Sequence, residues 1–162
     1  MPALSDTDLI ASRPAVAPAA RQVWTALVDI EPAQSLGTGP HGARFLVPIL
    51  GGRVLGAPGF EGLSGVVLPG GADRQLLRAD GVKELDALYE IRTDDGHICT
   101  VRNRVIIDAA HEPRRYALSH VRVTAPRGPH DWLNRRILVG SLDTARPERE
   151  AVIIRVWMLD TV

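Results

Sequence analysis

PGGADRQLLRADGVKELDALYEIRTDDGHICTVRNRVII (Pro69–Ile107) holds two Asp-Gly pairs, Asp80-Gly81 and Asp95-Gly96, each set between runs of strand-forming residues. Asp-Gly between such runs signals a hairpin, because a two-residue type I′ turn needs positive φ at both central residues and its twist suits the flanking strands. The stretch therefore predicts three antiparallel strands, 72 to 79, 82 to 94 and 97 to 107. Two-residue turns also fix a register. Ala79 opposite Val82 puts Gln75 against Asp86 and Asp73 against Leu88. Asp94 opposite His97 then sets Leu88 against Asn103, Asp86 against Val105 and Glu90 against Val101. Paired residues share a face. One face collects Asp73, Gln75, Asp86, Leu88, Glu90 and Asn103; the other carries Leu85, Ala87, Tyr89 and Ile91 beside Arg102 and Arg104. A sheet mixed on both faces suggests a barrel, with one face lining a partly polar cavity and the other meeting solvent or another subunit.

The flanking sequence extends the all-β reading. Residues 1–21, rich in Ala and Pro, form an arm, with at most a short turn after Ser5, because Pro14 and Pro18 preclude a long helix. Residues 22–162 form the barrel domain. Strands are expected at 22 to 30, 44 to 49, 61 to 68, 116 to 124, 133 to 142 and 151 to 159, with a short piece at 53 to 55. The fold class is a single antiparallel up-and-down β-barrel of nine or ten strands with a lipocalin-like cavity. Pro48 places its strand at an edge or a bulge.

Composition narrows the function classes. Nineteen basic and nineteen acidic residues cancel, and seven aromatics are few for base stacking, so neither nucleic acid nor an anionic membrane is an expected partner, despite Arg114-Arg115 and Arg135-Arg136. Residues 1–100 carry 8 basic and 12 acidic side chains and residues 101–162 carry 11 and 7, so the halves attract each other. Cys99 is the lone cysteine and reads as a small buried hydrophobe. No apolar run approaches the roughly 20 residues of a membrane span, and the opening residues lack a signal-peptide pattern; a cytoplasmic protein is expected.

Several motifs fail on context. Gly37-Thr38-Gly39-Pro40-His41-Gly42 matches G-x-G-x-x-G, but a strand with a proline follows where the pyrophosphate site needs a helix, so the segment reads as a glycine-rich turn. Gly62-Leu63-Ser64-Gly65 is no nucleophile elbow, since the position two residues after the serine is Val66. His41, His97, His111, His120 and His130 show no metal-ligand spacing, so neither a metal nor a cofactor is expected. Ser119 and His120 are strand neighbours and point to opposite faces.

A cofactor-free acid/base site remains. Closing the sheet brings His120, Arg122 and Arg155 across a cavity from Asp73 and Asp86. Asp73 then transfers a proton, its pKa raised by the nearby Asp86; His120, with Arg122 or Arg155, stabilises the anion; Gln75, Leu88 and Asn103 line the wall; Trp132 and Trp157 supply aromatic surface for a flat substrate. Structural ion pairs explain the same charges equally well. Three readings stay open: an enzyme of isomerase, cyclase or lyase type, a non-catalytic carrier, and a barrel filled by its own side chains. The apolar stripe Leu85, Tyr89 and Ile91, placed outside by this register, predicts a small homo-oligomer, a trimer or dimer.

Gly39-Pro40-His41-Gly42, Pro48 with Gly51-Gly52, Leu68-Pro69-Gly70-Gly71-Ala72-Asp73, Asp80-Gly81 with Glu84-Leu85-Asp86, Tyr89, Asp94-Asp95-Gly96, Val101-Arg102-Asn103-Arg104 and Trp132-Leu133-Asn134 occur in an order that resembles the domain-of-unknown-function family 3237. The resemblance implies an oligomeric barrel that holds a small organic molecule, with acid/base chemistry on flat aromatic or polyketide-like compounds and Asp73 at a site position. The chain departs from the family at Leu88, where arginine is usual, and lacks a Phe-Glu pair near Val123-Thr124.

Overall fold

The computed structural model describes residues 3–161; residues 1, 2 and 162, the outer ends of the expected arm and barrel, lie outside the described residues. The arm holds one helix, α1 (Asp6–Ala11), whose N-cap Ser5 accepts a hydrogen bond from the Asp8 N–H. Ten strands follow: β1 (Ala19–Ile30), β2 (Gln34–Gly39), β3 (Gly42–Gly56), β4 (Gly65–Val67), β5 (Ala72–Leu77), β6 (Lys83–Thr93), β7 (Ile98–Asp108), β8 (Tyr116–Thr124), β9 (Leu138–Thr144) and β10 (Ala151–Asp160). Short 3-10 helices occupy Glu61–Leu63 and Asp131–Arg135, replacing the first residues of the strands expected at 61 to 68 and 133 to 142.

β2, β4 and β5 each pair antiparallel with β3, the strands from β5 to β10 pair antiparallel in sequence order, and β1 closes the barrel by pairing with β10 on one side and β3 on the other. Ten strands fill eight positions, because two are shared. β3 runs for 15 residues and is matched on one flank by β1 then β2, and on the other by β5 then β4. The breaks fall at Glu31–Ala33 and Leu68–Gly71, on either side of Pro48, which sits where β3 changes partners rather than at an open edge. Gly71 is needed at its break: a Cβ there would lie 2.5 Å from that of Tyr89. The glycine-rich segment 37–42 forms the β2–β3 hairpin, with Pro40-His41 at its tip.

Both Asp-Gly pairs sit at hairpin tips, but the register differs by one residue from the two-residue-turn expectation. Leu77 pairs with Lys83 and Asp73 with Ala87; Ile91 pairs with Cys99 and Ala87 with Asn103. Gly81 N–H donates to the Arg78 carbonyl and Arg78 N–H to that of Val82, which makes a three-residue loop; Thr93, Gly96 and His97 repeat the pattern. Only the glycines take positive φ, +85° at Gly81 and +90° at Gly96, with no non-glycine residue there among the described residues. That is a type I turn followed by a left-handed glycine, which adds one residue to the loop. A slip of one turns every side chain of a strand over.

The slip redistributes the faces. Leu85, Ala87, Tyr89, Ile91, Val101, Asn103 and Val105 point inward and are buried, while Asp86, Leu88, Glu90, Arg102 and Arg104 face outward. The stripe Leu85, Tyr89 and Ile91 is thus core, and the reason it gave for an oligomer disappears. Inward residues of β1, β3 and β6–β10 build a continuous core at the end of the barrel that the 3-10 helices plug. There Trp24 and Leu133 are fully enclosed, Phe60 and Trp132 stack with centroids 5.5 Å apart, and the Asn134 amide donates to and accepts from the Ala125 backbone at 2.9 Å each. Among the described residues no helix is long and apolar enough to cross a membrane.

Candidate functional site

The opposite end of the barrel is hollow. A cavity of about 210 Å³ lies among the inward residues of β1, β3, β5–β7, β9 and β10, with Arg115 from the β7–β8 loop at its rim. Its wall is layered by strand pairing. Tyr89 lies deepest, beside Val101; one step up Val47, Asp73, Ala87 and Asn103 form a row; Gln75, Leu85 and Val105 form the next; Lys83 and Ile107 stand at the rim. From Leu77 back to Asp73 is about 13 Å along the strand, so Asp73 sits in the depth of the barrel rather than at its mouth. The cause is the interrupted strand: β5 begins halfway down, where β4 leaves off.

Asp73 is 8% exposed. Its Oδ2 accepts a 2.7 Å hydrogen bond from Gln75 Nε2, and Oδ1 has no hydrogen-bond partner. Burial is the main influence and pushes its carboxyl above the ordinary range, against the opposing pull of Gln75, then of the Asp86 backbone N–H and the nearby Lys83 charge. The expected cause, a neighbouring Asp86 carboxylate, plays only a minor part, because Asp86 lies on the outer face. Two further buried acceptors on the wall, Gln75 Oε1 and Asn103 Oδ1, also lack donors. Ala87 lies between Asp73 and Asn103 in the pairing row, and its short side chain leaves room on the wall between them. The Tyr89 phenol, raised by burial, lies below. Cations gather above: Lys83, Arg115, which donates to the Leu142 carbonyl at 3.1 Å, and Arg146, which is paired with Glu150.

Of the residues expected at the site, Asp73, Gln75 and Asn103 are brought together. The others are not. Asp86 receives a bidentate pair from Arg102, at 3.0 and 2.8 Å, which holds its carboxyl below the usual range. Leu88, His120 and Arg122 lie on the outside of β6 and β8, since the inward places of β8 go to Ala117, Ser119, Val121 and Val123. Arg155 and Trp157 face outward from β10, Arg155 donating to Asp143 at 3.0 Å, and Trp132 packs at the plugged end. Sequence reasoning missed Tyr89, Lys83, Arg115 and Arg146. The signal for Tyr89 was present: Leu85, Ala87, Tyr89 and Ile91 alternate in step with Cys99, Val101, Asn103 and Val105, which requires odd residues of both strands on one face.

The family profile described as "Protein of unknown function (DUF3237)" matches residues 18–159. A UPF0311 protein of Rhodopseudomonas palustris (strain TIE-1) is 47% identical over 75 residues, 46% of this chain and 44% of that protein. The matched stretch thus spans less than half the length of this curated relative. The crystal structure of a conserved protein of unknown function from Rhodopseudomonas palustris superposes with a TM-score of 0.79 at 32% identity, covering 89% of this chain and 99% of that one. An enzyme from Penicillium herquei shares the fold, with a TM-score of 0.70 at 23% identity, 91% of this chain and 98% of that one. The interrupted barrel and the long profile match agree: this chain belongs to the DUF3237 family of proteins of unknown function.

Proposed function

We propose that the barrel binds a ring-sized organic molecule in its cavity and that Asp73 moves a proton on it, in an isomerisation, cyclisation or elimination that uses no cofactor. The observation that carries this reading is the set of donor-less acceptors, Asp73 Oδ1, Gln75 Oε1 and Asn103 Oδ1, on the wall of a half-apolar cavity. Buried acceptors cost free energy unless a donor meets them, so the site suits a ligand with hydroxyl or amide donors spaced to reach across Ala87. A cavity of about 150 Å³ holds benzene, so one of this size takes a single substituted ring rather than a fused polyketide. Raised by burial, Asp73 is a carboxyl whose pKa has moved toward the working pH, as proton transfer at carbon or oxygen requires. Lys83 and the rim arginines supply the positive charge that an enolate or phenolate would need, the part expected of His120 and Arg122. That the Penicillium herquei protein of the same fold is called an enzyme supports a catalytic use of the barrel.

A carrier is the second reading. It is favoured by the lining itself, which among the described residues offers one carboxylate and no histidine, so that a proton taken up finds no second carboxylate or imidazole to pass to. The separating experiment is incubation of the protein and Asp73→Asn with single-ring phenolic and enolisable compounds, following bound mass by native mass spectrometry and turnover by chromatography. The enzyme reading expects both proteins to retain a ligand and only the parent to convert it. Retention without conversion by either leaves a carrier, and no retention by the parent ends both readings.

A further inference from the structure

At the plugged end of the barrel a second constellation stands clear of the cavity. Thr93, Asp95 and His97 belong to the β6–β7 hairpin turn, and His130 arrives from the loop before the 3-10 helix Asp131–Arg135. His130 is 6% exposed, and its Nε2 lies 3.1 and 3.2 Å from the two Asp95 carboxylate oxygens. His97 packs edge-on against it, ring centroids 5.3 Å apart, with Nδ1 3.0 Å from Asp95 Oδ1. One ligand atom from each of Asp95, His97 and His130 falls within 4.8 Å of the others.

The geometry points to a binding site for a zinc-type divalent cation held by Asp95, His97 and His130. Tetrahedral zinc with bonds of about 2.0 Å sets its ligand atoms about 3.3 Å apart, close to the separations that already exist between the carboxylate and each ring. Hydrogen bonding alone explains the cluster incompletely. His97 Nδ1 is shut off from water, yet its ring N–H direction misses Asp95, so the contact is a proximity and not a hydrogen bond. A cation would use that nitrogen's lone pair. Thr93 completes the arrangement from outside: its hydroxyl bonds Asp95 and accepts from the His97 N–H at 3.0 Å, which fixes the carboxylate as an outer-shell partner fixes a metal ligand. Two imidazoles and one carboxylate select a transition-metal cation over calcium or magnesium. Three protein ligands leave a fourth position for water. Bound there, the cation would tie the β6–β7 turn to the loop that leads into the barrel plug.

The test is titration of protein freed of metal with a chelator, by ZnCl2 in a calorimeter and by CoCl2 in visible absorption. The expected result is one cation per chain with the intense cobalt bands of a tetrahedral site. His97→Gln and Asp95→Asn, both at a surface turn, should each weaken binding by about tenfold or more, Thr93→Val by about tenfold with the cobalt spectrum kept, and His41→Gln not at all. His130→Gln should behave as His97→Gln; if it does not fold, the His97 and Asp95 variants decide. No stoichiometric binding by the parent, or binding that His97→Gln and Asp95→Asn leave unchanged, overturns the site.

Discussion

Asp73 couples its own ionisation to the stability of the barrel. In the unfolded chain it titrates near 3.9, and in the fold burial raises it. Below about pH 3.9 the carboxyl is protonated in both states and costs nothing. As pH rises from there to the raised value, the unfolded chain ionises first, so the fold loses stability across that window and regains none above it. Asp73→Asn removes this slope. Thermal melts of variant and parent should therefore draw apart in the variant's favour as pH rises from about 4 to 8, and a gap that stays constant or reverses would contradict the buried carboxyl. At Leu88 the opposite insensitivity is expected. The residue is 52% exposed on the outer face, so Leu88→Arg should shift stability by no more than about 0.5 kcal/mol and leave cavity binding alone. A change in binding measured by the same mass spectrometry would show that this position reaches the cavity.

Among the elements, the two hairpins set what the sequence could reveal. Asp-Gly marks a turn because glycine alone among the loop residues takes positive φ, and that much was legible at Gly81 and Gly96. Whether the loop has two residues or three depends on the aspartate's backbone, which either turn allows, and the choice decides which half of each strand faces inward. The apolar alternation through Leu85–Ile91 and Cys99–Val105 contained the answer; the polar residues Asp86 and Arg102, which pair with each other outside, obscured it. Asp73, Gln75 and Asn103 were identified because β5 and β7 received the right parity, whereas the single slip in β6 displaced Asp86 and Leu88. His120, Arg122 and Arg155 were lost for another reason: strand closure over long separations is not written in local spacing. The cavity's empty oxygens and the Asp95, His97 and His130 cluster arise only when distant strands and loops meet. Glycine chemistry yields a graded test here. Gly81→Ala meets no atom within 4 Å and carries only the left-handed penalty of about 1–2 kcal/mol, while a Cβ at Gly52 would lie 2.1 Å from the Leu27 carbonyl oxygen. Urea unfolding should rank Gly52→Ala as the more damaging, and equal losses would refute that close approach across the β1–β3 seam.

The whole molecule is divided into a packed end and a hollow end, and the two should answer differently to substitution. Ala87→Leu places extra methyl groups in the cavity between Asp73 and Asn103; it should hold or raise the melting temperature while abolishing ligand retention, since filling a void restores contacts that a solid core already has. A fall of several degrees would mean the cavity is smaller than its wall implies. The closing strand has a further consequence, in time rather than in space. Most neighbours in this meander are near in sequence, but β1 must meet β10, Ala19 opposite Asp160, which closes the longest loop of any of its strand pairings. Pairings of that span are the slowest to form, so the rate-limiting ensemble should contain β6, β7 and β8 while the β1–β10 seam is still open. Val28→Ala, buried in β1, should then quicken unfolding and scarcely slow refolding, whereas Val101→Ala in β7 should slow refolding. The lifetime of the native barrel would thus be set by how long the seam between its first and last strands stays shut.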